Sequence, residues 1–302
     1  MERKKITHLL YVPFTGLGLY GGFRGNRWLR NRITVFKEYV VSSLLNQTSQ
    51  NFTLWVSWRP EERFNKQVIE LKSWLDQHFK TVFTYHGVCF WDDKYPEAIA
   101  YNRLIDSLHG SIGELIDYLE GDEILMTIQP SDDCYSKWSI ESIQGFFEDN
   151  QEYTAGGFMH GYICNYATGE VSEYNPTTNP PFFTIKFPKA VFIEPHQHMK
   201  YTGPYKSHEF IPDFTKYAKW DDRGFLVGTH GENISTYYDH PFKGKQVDGV
   251  LEEFGIALSP RTNFKLGIKR YILRKLPHKI RRKVRYWVGE RFYQKVYDFF
   301  RS

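Results

Sequence analysis

An α/β fold, with a mostly parallel sheet flanked by helices, is predicted by three features of the chain. Short apolar runs alternate with helical stripes in the order β-α-β-α-β from Ile6 to Tyr85. The runs end in glycine-rich or acidic loops. The 302 residues are 41% hydrophobic, enough for one large α/β domain or two smaller ones with a buried core, which excludes a disordered tail or a peptide scaffold. Right-handed crossovers between parallel strands gather their carboxyl ends on one edge, where α/β sheets place ligands.

The elements follow in order. Ile6 to Phe14 reads as a buried strand closed by Gly16, Gly18, Gly21 and Gly22. Leu29, Ile33, Phe36, Val40 and Leu44 form one apolar stripe of a helix, and Asn46 to Asn51 supply the turn. Phe52 to Trp58 is a second strand, followed by a helix facing inward with Phe64, Val68, Leu71, Leu75 and Phe79, and a third strand at Thr81–Tyr85. A longer helix is predicted from Pro96 to Leu119, its inner face carrying Tyr101, Leu104, Leu108, Ile112, Leu115 and Leu119. Glu123 to Gln129 is the fourth strand, which empties into Pro130-Ser-Asp-Asp-Cys-Tyr135. A helix from Trp138 to Phe147 and strands at Tyr153–Tyr162 and Glu170–Tyr174 come next. Pro176 to Asp213 holds no period and is expected to be irregular.

Composition narrows the function classes. The 24 Phe, 21 Tyr and 8 Trp are a surplus suited to stacking on flat ligands, sugars included. Cys89, Cys134 and Cys164 have neither disulfide nor zinc-knuckle spacing, so a reducing compartment is expected. The amino terminus shows no apolar signal region and no window is long enough to span a bilayer, which predicts a cytoplasmic protein. From Lys265 to Ser302 there are 13 Lys and Arg against Glu290 and Asp298, a charge of +11; the rest of the chain has 26 basic and 33 acidic residues, or −7. The tail's apolar stripe, from Ile268 through Trp287 to Phe299 with a break at Pro277, suits helices lying on an anionic membrane surface. It equally suits a helical pair packed on the main domain with a solvated basic face. No nucleic-acid-binding motif accompanies the charge, so no nucleic-acid partner is expected.

Asp132 and Asp133 are the strongest site candidates. Neighbouring carboxylates at a strand's carboxyl end can hold Mg²⁺ or Mn²⁺ against a diphosphate. They can equally cap the following helix and hold a turn. His230, in the polar glycine-flanked turn Gly228-Thr-His-Gly231, can serve a metal or a phosphate, although a lone histidine is more often structural. Asn233-Ile-Ser235 fits a glycosylation sequon. His196 and His198 find no third ligand at suitable spacing and are read as structural.

Trp28 to Tyr39, Ser43 to Thr48 and Asn51 to Val56, then Ala100-Tyr-Asn-Arg103, Gly121 to Ile128 and Ser131-Asp-Asp133, together resemble the GT-A glycosyltransferases, most nearly the rhamnosyltransferase group. The resemblance spans residues 6 to 148. It departs from the family at Ser131, where the DxD-type motif begins with an acid. The resemblance implies a GT-A (Rossmann-like) domain at 1–262, with a donor-binding half at 1–148 and an acceptor-side half at 149–262, followed by a basic helical appendage at 263–302. It implies an enzyme that moves a hexose, rhamnose among the candidates, from a nucleotide-sugar donor to a glycan or lipid-linked saccharide at the cytoplasmic face of a membrane, assisted by Mn²⁺ or Mg²⁺. Asp133 would ligate the metal, Asp132 the metal or the ribose, and His230 would return to the metal or diphosphate. Asn102 and Arg103 would face the donor, and Phe14, Arg24 and Arg32 would lie by the nucleotide, where glycine-rich backbone and guanidinium suit phosphate. For Arg32 a solvated helix charge is the competing reading. The loop's glycines match neither dinucleotide nor P-loop spacing. An inverting reaction would need a base, for which Glu209 is nominated, with Asp222 and its neighbour Asp221 as competitors. A non-catalytic glycan- or membrane-binding protein on the same scaffold is the alternative.

Overall fold

The computed structural model describes residues 5–15, 26–88, 97–202, 208–230, 233 and 236–257. The chain divides into two units, Met1–Leu258 and Ser259–Ser302. The second unit lies outside the described residues, and with it the basic tail; so do the glycine loop with Arg24, and Cys89.

The first unit begins with β1 (Ile6–Val12), α1 (Asn26–Val35), a π-helical stretch at Phe36–Val41 and α2 (Ser42–Leu45). It continues with β2 (Thr53–Ser57), α3 (Lys66–Leu75), β3 (Thr81–Thr84), α4 (Glu97–Leu115), β4 (Glu123–Ile128), β5 (Cys134–Tyr135) and α5 (Ser139–Asp149). Then come β6 (Ala155–Asn165), β7 (Val171–Tyr174), β8 (Phe183–Pro188), α6 (Lys189–Phe192), α7 (Pro195–Thr202), α8 (Ile211–Phe214), β9 (Tyr217–Thr229) and β10 (Lys243–Val247).

The expected α/β class is the one observed. Strands β3-β2-β1-β4 are parallel neighbours, and the sheet continues beyond β4 through antiparallel β8. Two apolar layers cover it, and period-2 alternation assigns each residue to one of them. Leu10, Val12, Leu54, Val56 and Leu125 pack with the stripe of α1–α2, with α3 and with α5. Leu9, Tyr11, Trp55, Ile124 and Met126 pack with Leu104, Leu108, Ile112 and Leu115 of α4 and with Phe192 and Met199. Helices on both faces therefore leave the strand ends as the exposed edges of the layer.

Two expectations are corrected. Phe64 is 85% exposed, because Asn65 caps α3 by accepting from the Gln67 amide at 3.0 Å and the helix starts only at Lys66. The stretch from Pro176 to Asp213 is regular in large part. Phe183, Ile185 and Phe187 alternate into the α4 layer and make β8, with Pro181 before it and Pro188 at its end.

β9 matters most for the site. It runs parallel to β6 along its length and antiparallel to β5, with Cys134 opposite Leu226 and Tyr135 opposite Phe225. Continuing that register past Cys134 sets Val227 beside Asp133 and Gly228 beside Asp132.

Candidate functional site

An ionic cluster at the carboxyl end of β4 joins segments about 100 residues apart in the chain. Arg32 leaves the last turn of α1 and points into the protein, so the competing reading of a solvated charge is excluded. Its Nη1 donates to Asp132 Oδ2 at 2.6 Å and its Nε to Ser131 Oγ at 2.9 Å. The Arg32 side chain is 7% exposed and that of Asp132 10%. His230 Nε2 lies 3.3 Å from the same Oδ2 and 3.0 Å from Arg32 Nη1. That nitrogen accepts from Arg32 in one tautomer and donates to Asp132 in the other.

The loop after β9 is tied to the same carboxylate. Asn233 Nδ2 donates to Asp132 Oδ2 at 3.0 Å and to the Gly228 carbonyl at 2.6 Å, while its Oδ1 accepts from the His230 amide at 2.8 Å. The sequon asparagine is thus a structural member of the cluster. Asp133 turns the other way, and its Oδ1 accepts from the Gly228 amide at 2.9 Å. Tyr166 donates from its hydroxyl to the Asp132 carbonyl at 2.9 Å and stacks on Tyr39 of the π-helical stretch, with ring centroids 3.6 Å apart. A β-carbon at Gly228 would collide with both the Asp132 carbonyl and the Tyr166 ring, so only glycine lets β9 approach the acidic turn this closely.

The two neighbouring acids are driven apart. Burial lifts Asp133 well above the ordinary carboxylate range, Asp132's negative charge lifts it further, and the Gly228 amide and Arg32 oppose this only in part. Burial also raises Asp132, but the Arg32 guanidinium and then His230 outweigh it and hold the carboxyl below its usual value. Asp132 is therefore the more acidic of the pair and Asp133 the less acidic.

Other expected residues are placed as follows. Asn102 is exposed and Arg103 half-buried near the amino end of α4, on the same edge of the sheet as the cluster. The Phe14 ring cannot line a nucleotide site: it is fully buried, stacked on Trp58 at 4.4 Å and edge-on to Phe36 at 5.4 Å. Glu209 is exposed on the turn His208–Phe210 and accepts from Thr178 Oγ1 at 3.0 Å. Asp222 is exposed in β9, six residues before Gly228 and so roughly 20 Å along the strand from the cluster. Asp221 is equally exposed beside it. His198 is buried and bonded to the Phe192 carbonyl at 3.1 Å, as its structural reading requires.

The donor set does not fit a divalent ion as arranged. Asp132 Oδ2 already serves Arg32 and Asn233, Asp133 Oδ1 is engaged by the Gly228 amide, and Ser131 replaces the first acid. Among the described residues no group of three or more His, Cys, Asp and Glu is placed to hold a metal. Gln129, just beyond β4, donates from Nε2 to the Pro130 and Asp133 carbonyls at 2.8 Å, and its buried Oε1 has no partner. An orphaned buried acceptor beside the acidic turn marks where a donor from a ligand or a water would be favourable. Among the described residues no helix is long and apolar enough to cross a membrane.

No family model matches the sequence, and no curated protein matches it. Among solved structures, the chain is similar to residues 1–349 of S. aureus TarS at 12% identity and a TM-score of 0.41, over 74% of this chain and 60% of that one. It is similar to a second structure of S. aureus TarS at 11% identity and a TM-score of 0.37, over 74% of this chain and 37% of that one. The chain thus spans less than two thirds of the length of either.

Proposed function

We propose that this chain is a glycosyltransferase that moves a hexosyl group from a nucleotide-diphospho-sugar to a glycan or lipid-linked saccharide acceptor. One observation carries the reading: Arg32, Ser131–Asp133 and His230, from three distant segments, meet as a nearly dry ionic cluster at the carboxyl edge of a parallel sheet. That edge is where folds of this class hold nucleotides. Buried charge is costly unless it is fully paired, and neighbouring acids with opposed proton affinities are a common mark of a working site.

In this reading the guanidinium of Arg32 faces the charge that develops on the departing diphosphate, and Asn102 and Arg103 approach the donor from α4. Glu209 is the proposed acceptor base. A Mg²⁺ or Mn²⁺ ion, for which the two acids as arranged are not a fitting donor set, would add to the neutralisation of the diphosphate only by arriving with the donor. The basic segment 263–302 is proposed to meet an anionic membrane at its cytoplasmic face, on the strength of its charge. Rhamnose is one candidate sugar, from the sequence resemblance alone.

The engagement of both acids by protein groups favours a second reading, a non-catalytic glycan- or membrane-binding protein on the same scaffold. Thermal-shift screening of nucleotide-sugars, followed by an assay for sugar transfer or donor hydrolysis, separates the two. The enzyme reading expects one nucleotide-sugar to raise the melting temperature and to be consumed. If none does either, that reading is lost.

A further inference from the structure

The place beside Asp132 that a cation would take is filled by the protein itself. Arg32 Nη1 sits 2.6 Å from Asp132 Oδ2, and both side chains are almost fully buried. Ser131 fixes the same guanidinium through Nε, and as a hydroxyl it does so without adding charge. The Arg32–Asp132 pair is therefore neutral as a unit. A divalent ion brought to Asp132 would stand next to a fixed positive charge, in surroundings that screen it poorly.

Asp132 does not depend on Arg32 alone, since its Oδ2 also receives Asn233 and lies beside His230. Part of the guanidinium's attraction can thus be given to an incoming anion while the carboxylate keeps other donors. A planar guanidinium is well matched to phosphate oxygens.

We infer that Arg32 is the cation that receives the donor's diphosphate at this site, so that nucleoside diphosphates bind without a divalent ion and in competition with Asp132 for the guanidinium. This rests on the glycosyltransferase reading and specifies how its donor is held.

Titration calorimetry on the full chain tests it, with UDP, GDP, CDP, ADP and dTDP as probes in EDTA and again with Mn²⁺ or Mg²⁺. At least one should bind in EDTA, with an affinity altered by less than about twofold when the ion is added. Asp132→Asn should bind as well or several-fold more tightly, because the competing carboxylate is gone. The charge-balanced pair Arg32→Gln with Asp132→Asn, checked for a native melt, should lose about tenfold or more, the scale of one charge-assisted contact. Binding that appears only with the ion, or that is lost in Asp132→Asn as for a metal ligand, overturns the inference and leaves the enzyme reading standing. If no diphosphate binds under either condition, both fall.

Discussion

The Arg32 guanidinium and the Asp132 carboxylate meet at 2.6 Å across 100 residues of sequence, one at the end of α1 and the other just beyond β4. The pair bolts the first helix to the carboxyl edge of the sheet. A buried pair is weak evidence for net stability, yet removing one partner strands a charge. Arg32→Gln and Asp132→Asn should each destabilise by about 3 kcal/mol, and the double variant by much less than their sum. Chemical denaturation of the three variants measures this. Strict additivity would mean that the two groups do not depend on each other.

Asn233 closes the cluster from the other side, donating to Asp132 Oδ2 and the Gly228 carbonyl at once. Asn233→Asp replaces that shared donor with a carboxylate facing a carboxylate and a carbonyl. It should destabilise more than Asn233→Ala, with the excess relieved as pH falls and one of the acids takes a proton. Melting temperatures of both variants across the acid range read this out. Equal losses at all pH values would refute it.

Gly228 is the position where β9 passes the acidic turn at van der Waals limit. Gly228→Ala should cost about 1–3 kcal/mol, the usual cost of overpacking, and should move the Asp132 carbonyl off the Tyr166 hydroxyl. Denaturation reports the loss, and near-ultraviolet circular dichroism reports the disturbed Tyr39–Tyr166 stack. A variant as stable as the parent would mean that the turn is softer than described.

How much of this was legible in the sequence depends on how local each cause is. The stripes of α1 and α4 and the apolar runs of β1 and β4 are set by neighbours within a few residues, and they fold as read. Asp132 and Asp133 were visible as candidates because adjacent acids ending an apolar strand are unusual in themselves. Arg32 and His230 were candidates too, but not as partners of Asp132. Arg32 looks like any helix-surface arginine until β4 brings Asp132 to it. Asn233, Gly228 and Tyr166 enter only through the antiparallel pairing of β9 with β5, which leaves no periodic mark. The polar, glycine-flanked turn around His230 singled out the segment that closes the cluster, without showing which of its side chains do so. β8 was hidden by prolines in and around it, although Phe183, Ile185 and Phe187 carried the two-residue period.

Two buried histidines outside the site should put a slope into the acid stability of the fold. Within the sheet layer, Gln144 Nε2 donates to His8 Nδ1 at 2.9 Å, so His8 carries its proton on Nε2 and donates to Thr127 Oγ1 at 2.7 Å. Burial lowers His8 to about 3 and His198 to about 4, against an ordinary value of 6.5. Below pH 6.5 the unfolded chain takes up protons that the folded chain refuses, so stability falls with pH. The loss runs down to about pH 4 for His198 and about pH 3 for His8. Each histidine contributes up to about 1.4 kcal/mol per pH unit within its window. Denaturation between neutral and acid pH should show this slope. His8→Gln, which keeps a side-chain amide near Thr127, should remove roughly half of it between pH 6.5 and 4, and most of what remains below 4. A slope unchanged by the substitution would show that the carboxylates, rather than these imidazoles, set the acid limit of the fold.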